Sequence, residues 1–177
     1  MQFNQRTFAL AAATAFLFAP PHATLWLQAQ AQSKPVKASR ELAATVIVSP
    51  DDAWVQAWNT PQAPHITRLH EVEVDQKVTV GVLLSGLRAV RGQIRYRVAT
   101  QILDPKGKAI FDRPDFSTGN GLAPAGSVFL LVNPTFDFTA DNGDPKGAYR
   151  FRAIVTDLNR PKNAHPRAMG EWKVLLK

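Results

Sequence analysis

The 177 residues contain no cysteine, two methionines, two tyrosines and four histidines. Without cysteine there are no disulfide staples, no thiol catalysis and no thiolate metal site, so stability has to come from packing. His65, His70 and His165 are the histidines beyond residue 31, and no H-x-H, H-E-x-x-H or G-x-S-x-G pattern accompanies them. Each sits beside loop-forming residues, which predicts solvated loop histidines; a copper or zinc site gathered from them in space is the alternative. The glycine-rich stretch GNGLAPAGS lacks both a Walker lysine and a following helical pattern, so it is a poor phosphate cradle. Neither a catalytic constellation nor a cofactor motif is legible.

Acidic residues are also scarce, 14 against 21 lysines and arginines, for a formal charge of +7. Long apolar runs are confined to the start of the chain. There, Arg6 precedes an apolar stretch at residues 7–19, Pro20-Pro21 interrupts it, and Ala29-Gln30-Ala31 follows as an A-x-A cleavage pattern. The apolar run falls short of the roughly 20 residues a spanning helix needs. Residues 1–31 are therefore predicted to be a signal peptide, with a retained membrane anchor as the rival. The expected setting is the periplasm or the exterior, and the mature chain is long enough for one domain with a proper core.

Residues 32–64 read as an N-terminal extension. Ser49-Pro50-Asp51-Asp52 offers a capping hydroxyl, a proline at the first helical position and two acids against the dipole, which predicts a short helix over 50–58. Trp54 and Trp58 lie four apart on one face of it. Packing onto a sheet is the favoured reading of that pair, and an aromatic ligand platform is the other.

From residue 66 the period changes to two. Val72, Val74, Val78, Val80, Val82 and Leu84 share one parity, and Glu71, Glu73, Asp75, Lys77 and Thr79 share the other, so one face is expected to be core and the other wet. QIRYRVATQIL and AYRFRAIVTD alternate in the same way, SVFLLVNPTFDF is more continuously apolar, and GEWKVLL closes the chain. With Gly, Pro, Asp and Asn clusters between them, these segments predict an all-β fold: a single antiparallel sandwich of about seven strands over residues 65–177, preceded by a short helix.

DPKG occurs twice, at residues 104–107 and 144–147. Aspartate, then proline at the second position and glycine at the fourth, is the signature of a type I turn. For the second copy, Asp137, Asp141, Asn142 and Asp144 are clustered oxygen ligands that raise calcium as an alternative to an acidic turn.

Gly147-Ala148-Tyr149 opening a strand, with Phe151 two residues on, resembles the tyrosine corner of immunoglobulin-like sandwiches. The segment is similar to bacterial exported Ig-like domains, in which G-x-Y begins the penultimate strand, an aspartate such as Asp157 ends it and a final strand closes the fold. The resemblance spans residues 66–177. It implies an Ig-like fold and export, and it brings no catalytic residues.

In that fold the strand at residues 93–103 pairs with 148–157, which pairs with 170–176. Arg95, Arg97, Arg150, Arg152 and Lys173 then point outward together, with Arg88 and Arg91 in the adjoining loop, while the sheet carrying Glu71, Glu73 and Asp75 is comparatively acidic. This cationic face is the candidate docking site for an acidic envelope protein or another anionic surface, including peripheral contact with lipid phosphates. Its plain alternative is a solvated face whose arginine stems cover apolar surface. Nucleic acid is disfavoured because aromatic residues do not interleave with the arginines. Three functions follow in order: a non-enzymatic binding or adaptor module, an assembly protein acting by strand addition, and a hydrolase or metal-binding protein with a loop site such as Asp137, Asp141 and His165.

Overall fold

A computed structural model describes residues 41–60, 64–123, 128–164 and 166–177. Residues 1–40, which hold the expected signal peptide, and His165 lie outside the described residues.

The chain is an all-β sandwich of two sheets. Its elements run β1 (Ala43–Ser49), α1 (Ala53–Ala57), β2 (Glu71–Val72), β3 (Lys77–Ser85), β4 (Gln93–Leu103), β5 (Ala109–Leu122), β6 (Leu130–Leu131), β7 (Phe136–Thr139), β8 (Gly147–Asp157) and β9 (Arg167–Leu176). In sheet 1 the order is β1-β3-β6, with β7 also on β3; in sheet 2 it is β2-β9-β8-β4-β5. Every pairing is antiparallel except β2 with β9. β3 lies between β1 and β6/β7 as strand B of an immunoglobulin-like domain lies between A and E, and β8 lies between β4 and β9 as F lies between C and G.

Inward parity builds the core. Val46 and Val48 of β1 and Val78, Val80, Val82 and Leu84 of β3 share one core with Ile94, Tyr96, Val98 and Ile102 of β4 and, beside these in the same sheet, Tyr149, Phe151 and Val155 of β8 and Val174 and Leu176 of β9. The Tyr149 hydroxyl donates to the Pro145 carbonyl oxygen at 2.9 Å, which is the tyrosine-corner contact. Burial pushes its phenol pKa up, and the Asp144 and Asp104 carboxylates add to that shift.

Several expectations need correction. The segment read as an extension supplies β1, all seven residues of which pair with β3. The helix starts later than residue 50, because Ser49 is the last residue of β1 and is buried there; Asp52 takes the N-cap position and makes no side-chain cap hydrogen bond. The outer parity of β3 is not wet. Thr79 and Leu83 are buried, and α1 lays Trp54 over Gly81 to form a second apolar cluster with Ile47, Leu83 and Leu131. A Cβ at Gly81 would overlap Trp54 Cη2 and Cζ2, so the missing side chain is what lets the indole reach the sheet. Trp58 meets Trp54 edge-on, 6.3 Å between centroids.

The alternation beginning at residue 66 also divides. β2 belongs to sheet 2, Asp75 takes φ 63°, and the chain crosses to sheet 1 as β3. Glu71 therefore sits on the edge of the basic sheet, where it pairs with Lys177, and not on an opposing acidic sheet.

The two DPKG segments differ. The first is the predicted turn: Gly107 N–H donates to Asp104 O at 2.9 Å, Lys108 N–H donates to Asp104 Oδ1 at 2.8 Å, and Gly107 takes φ 86°. In the second region the hydrogen-bonded turn lies three residues upstream, at 141–144, with Asp144 N–H donating to Asp141 O, and Pro145 leads into β8. The two copies meet, because a Cβ at Gly147 would sit 3.0 Å from Pro105 Cβ.

Strand β5 is 14 residues long and forms the edge of sheet 2. Val98 pairs with Ser117 but Thr100 with Arg113, so a bulge containing Pro114 and Asp115 interrupts the ladder.

Candidate functional site: the basic face of sheet 2

The register sets out the outward face as rows across β4, β8 and β9. Arg97, Thr156 and Arg167 form the first row, then Ala99, Ile154 and Met169, then Gln101, Arg152 and Glu171, and finally Leu103, Arg150 and Lys173. Successive rows are about 6.8 Å apart, two residues of extended chain. Arg95, Arg97 and Lys173 are exposed, and Arg150 and Arg152 are half-buried.

The basic residues are thus split between two ends of the sheet. Arg152 is neutralised by Glu171, directly opposite it on β9. Arg150 and Lys173 sit across from each other at the DPKG end, where Asp104, Asp141 and Asp144 are also found. The other end collects Arg95 and Arg97 from β4, Arg167 from β9, Arg88 and Arg91 from the β3–β4 loop, and Arg160 and Lys162 from the β8–β9 loop. Asp115 and Asp157 pair with two of them. Asp115 reaches Arg97 Nη1 at 3.5 Å, and Asp157 pairs with Arg160 at 3.1 Å. Arg167 and Lys162 form no ion pair with any described residue.

Asp157 holds this end together. Its side chain is fully buried; Oδ2 accepts from Arg88 N–H at 2.7 Å and from Arg160 Nε, and Oδ1 accepts from Asn159 N–H at 2.9 Å. The Asn159 amide donates to the Arg88 and Gln93 carbonyls, and Arg160 Nη2 donates to Gly86 O at 2.6 Å. The aspartate expected to end the penultimate strand therefore ties the two arginine-bearing loops to each other. Its oxygens are engaged with these donors, which gives it a scaffold role.

An open depression of about 820 Å³ lies against this network, lined by Arg97, Thr156, Arg160, Lys162 and Arg167 with Asp157, Leu158 and two prolines. A smaller one of about 290 Å³ shares Arg97, Thr156 and Arg167 and extends over Ala99 and Ile154 to Pro114 and Asp115. Arg167 was missed in the sequence because the last strand was started at residue 170; it shares the parity of Lys173.

The other candidate residues are scattered or engaged. Asp137 pairs with Lys77 at 2.7 Å and accepts from Thr79 Oγ1, and these hydrogen bonds hold its carboxyl below the usual carboxylate range. Asp144 Oδ2 accepts from Asp141 N–H. No group of three metal-ligating His, Asp or Glu side chains forms among the described residues. His65 and His70 are exposed, and His70 lies 4.6 Å from the Trp172 ring.

No family model matches the chain, and no curated protein matches it. Among solved structures it is similar to the CARDB domain of the PF1109 protein from Pyrococcus furiosus, in complex with di-metal ions, at 16% identity over 77% of this chain and 88% of that one, TM-score 0.41. It is also similar to a family 123 glycoside hydrolase from Clostridium perfringens, at 7% identity over 77% of this chain and 27% of that one, TM-score 0.43. The sandwich assignment rests on strand order and on the Tyr149 corner.

Proposed function

We propose that this chain is an exported, non-catalytic binding module of the cell envelope that docks an acidic protein through the basic end of sheet 2. The observation that carries the reading is segregation of charge. Arg88, Arg91, Arg95, Arg97, Lys162 and Arg167 gather where the nearby acids are few, whereas Arg152 and Lys177 are matched by acids elsewhere on the sheet. Like charges gathered on one surface repel each other, and a face kept only for solubility would mix signs. An acidic partner relieves that repulsion and is steered to the surface by it.

The test is capture of partners from an envelope extract at graded salt. Wild type is compared with Arg95, Arg97 and Arg167 changed to Glu, and separately with Arg150 and Lys173 changed to Glu. The reading expects the first variant to lose a salt-sensitive protein partner and the second to keep it. Equal capture by all three proteins at every salt concentration refutes it.

Strand addition is the second reading, favoured by the long edge of β5. Pro114 lacks an N–H and the bulge breaks the ladder there, which leaves only short runs for a partner strand. Capture that survives charge reversal but is lost on introducing prolines at 118 and 120 supports this reading instead.

A further inference from the structure

Two depressions on the basic face share three residues, Arg97, Thr156 and Arg167, which lie side by side on β4, β8 and β9. Neighbouring strands are about 4.8 Å apart, so the two arginine Cα atoms are about 10 Å apart with a hydroxyl between them. Two long guanidinium arms over that span converge on one oxyanion, and Thr156 adds a donor beneath it. Lys162 borders the larger depression and adds a third cation. The next row is apolar: Ala99, Ile154 and Met169, with Met169 59% exposed.

We infer that this groove is the carboxylate subsite of the docking face. It takes an extended segment of the acidic partner, with the acid on the Arg97–Thr156–Arg167 row and an apolar side chain two residues away over Ile154 and Met169. The inference rests on the docking reading and gives the chemistry of its partner. Row spacing matches the repeat of an extended peptide, about 6.8 Å for two residues. A carboxylate of that kind is already at hand, because Asp115, 71% exposed on β5, reaches Arg97 at 3.5 Å. Asp115 acts as an internal competitor, and the partner's acid displaces it from Arg97. Such an exposed pair is weak, so displacement opposes binding only slightly.

The probe is a dye-labelled, end-blocked peptide of alternating Asp and Leu, titrated into the full chain and followed by fluorescence anisotropy at two salt concentrations. Changing both Arg97 and Arg167 to Gln is expected to weaken binding about tenfold. Asp115→Asn is expected to tighten it about threefold, which a generic electrostatic surface shows only weakly at high salt. Changing Arg150 and Lys173 to Gln is expected to have less than a twofold effect, and an Asp–Ser peptide is expected to bind more weakly than Asp–Leu. Unchanged affinity in the Arg97 and Arg167 variant overturns the inference, as does weaker binding by Asp115→Asn. Vesicles of anionic phospholipid form a separate arm, and binding to them through Arg97 without peptide binding replaces the peptide with a membrane surface. Both arginines are exposed, so circular dichroism is expected to show a native fold, and the Asp115 arm decides the matter if it does not. Flat titrations together with charge-dependent capture remove this groove and leave the docking face; flat titrations with charge-independent capture remove both.

Discussion

Replacing Asp157 with Ala tests the account of how the basic end is built. The side chain is fully buried and is a hydrogen-bond acceptor for Arg88 N–H, Asn159 N–H and Arg160 Nε. Alanine leaves two backbone donors without their carboxylate acceptor and takes the Asp157 carboxylate away from the Arg160 guanidinium, whose side chain is 17% exposed. Breaking a buried pair by removing one partner destabilises by about 3–5 kcal/mol. With a urea m-value of about 2 kcal/mol/M, the unfolding midpoint falls by about 2 M. Melting temperature falls by roughly 10 °C at about 2–4 °C per kcal/mol. Urea titration followed by tryptophan fluorescence measures the first quantity, and calorimetry the second. Asp157→Asn keeps the shape and one carbonyl acceptor, so it is expected to fall between wild type and Ala. A loss under about 1 kcal/mol in the Ala variant refutes the reasoning, because it means that water replaces the carboxylate without penalty.

Three further outcomes follow from other contacts. Tyr149→Phe removes the bond to Pro145 O and is expected to lower stability by about 1 kcal/mol in the same urea titration, with unchanged stability removing the tyrosine corner. Gly81→Ala puts a methyl group into the Trp54 ring and is expected to cost about 1–3 kcal/mol with a red-shifted emission; an unshifted spectrum and midpoint refute the lid role of that indole. Asp137 is held below its unfolded pKa by Lys77, so its contribution is present above the unfolded carboxylate value and is lost as pH falls through the folded one. The Lys77–Asp137 pair is exposed, so Asp137→Asn is expected to flatten the acid limb of the stability profile only slightly, and to do so less in high salt.

Strand parity was the legible part of this chain. Alternation in residues 93–103 and 148–157 placed Arg95, Arg97, Arg150 and Arg152 outward, and the register of β4 on β8 agrees. The sheet order around β8 followed from the G-x-Y start of that strand. β5 shows little periodicity, because as an edge it carries Pro114, two glycines and many polar groups. β1 was placed outside the domain because its buried run, Val46 to Ser49, has no alternation; α1 covers its outer face as the core covers the inner one. For the site, the charges were visible but their matching was not. The pairing of Arg152 with Glu171 depends on the register of β9 against β8, and the engagement of Asp157 depends on two loops distant in sequence.

Strand β3 has neighbours on every side. It is hydrogen-bonded to β1 along one edge and to β6 and β7 along the other, and its two faces meet the main core and the Trp54 cluster. Amide protons in such a strand reach solvent only when the whole domain opens. Residues 78–84 therefore report global unfolding by hydrogen exchange, while the loops bearing Arg88 and Lys162 exchange through local opening. The basic end is thus expected to open on a faster timescale than the spine that holds it.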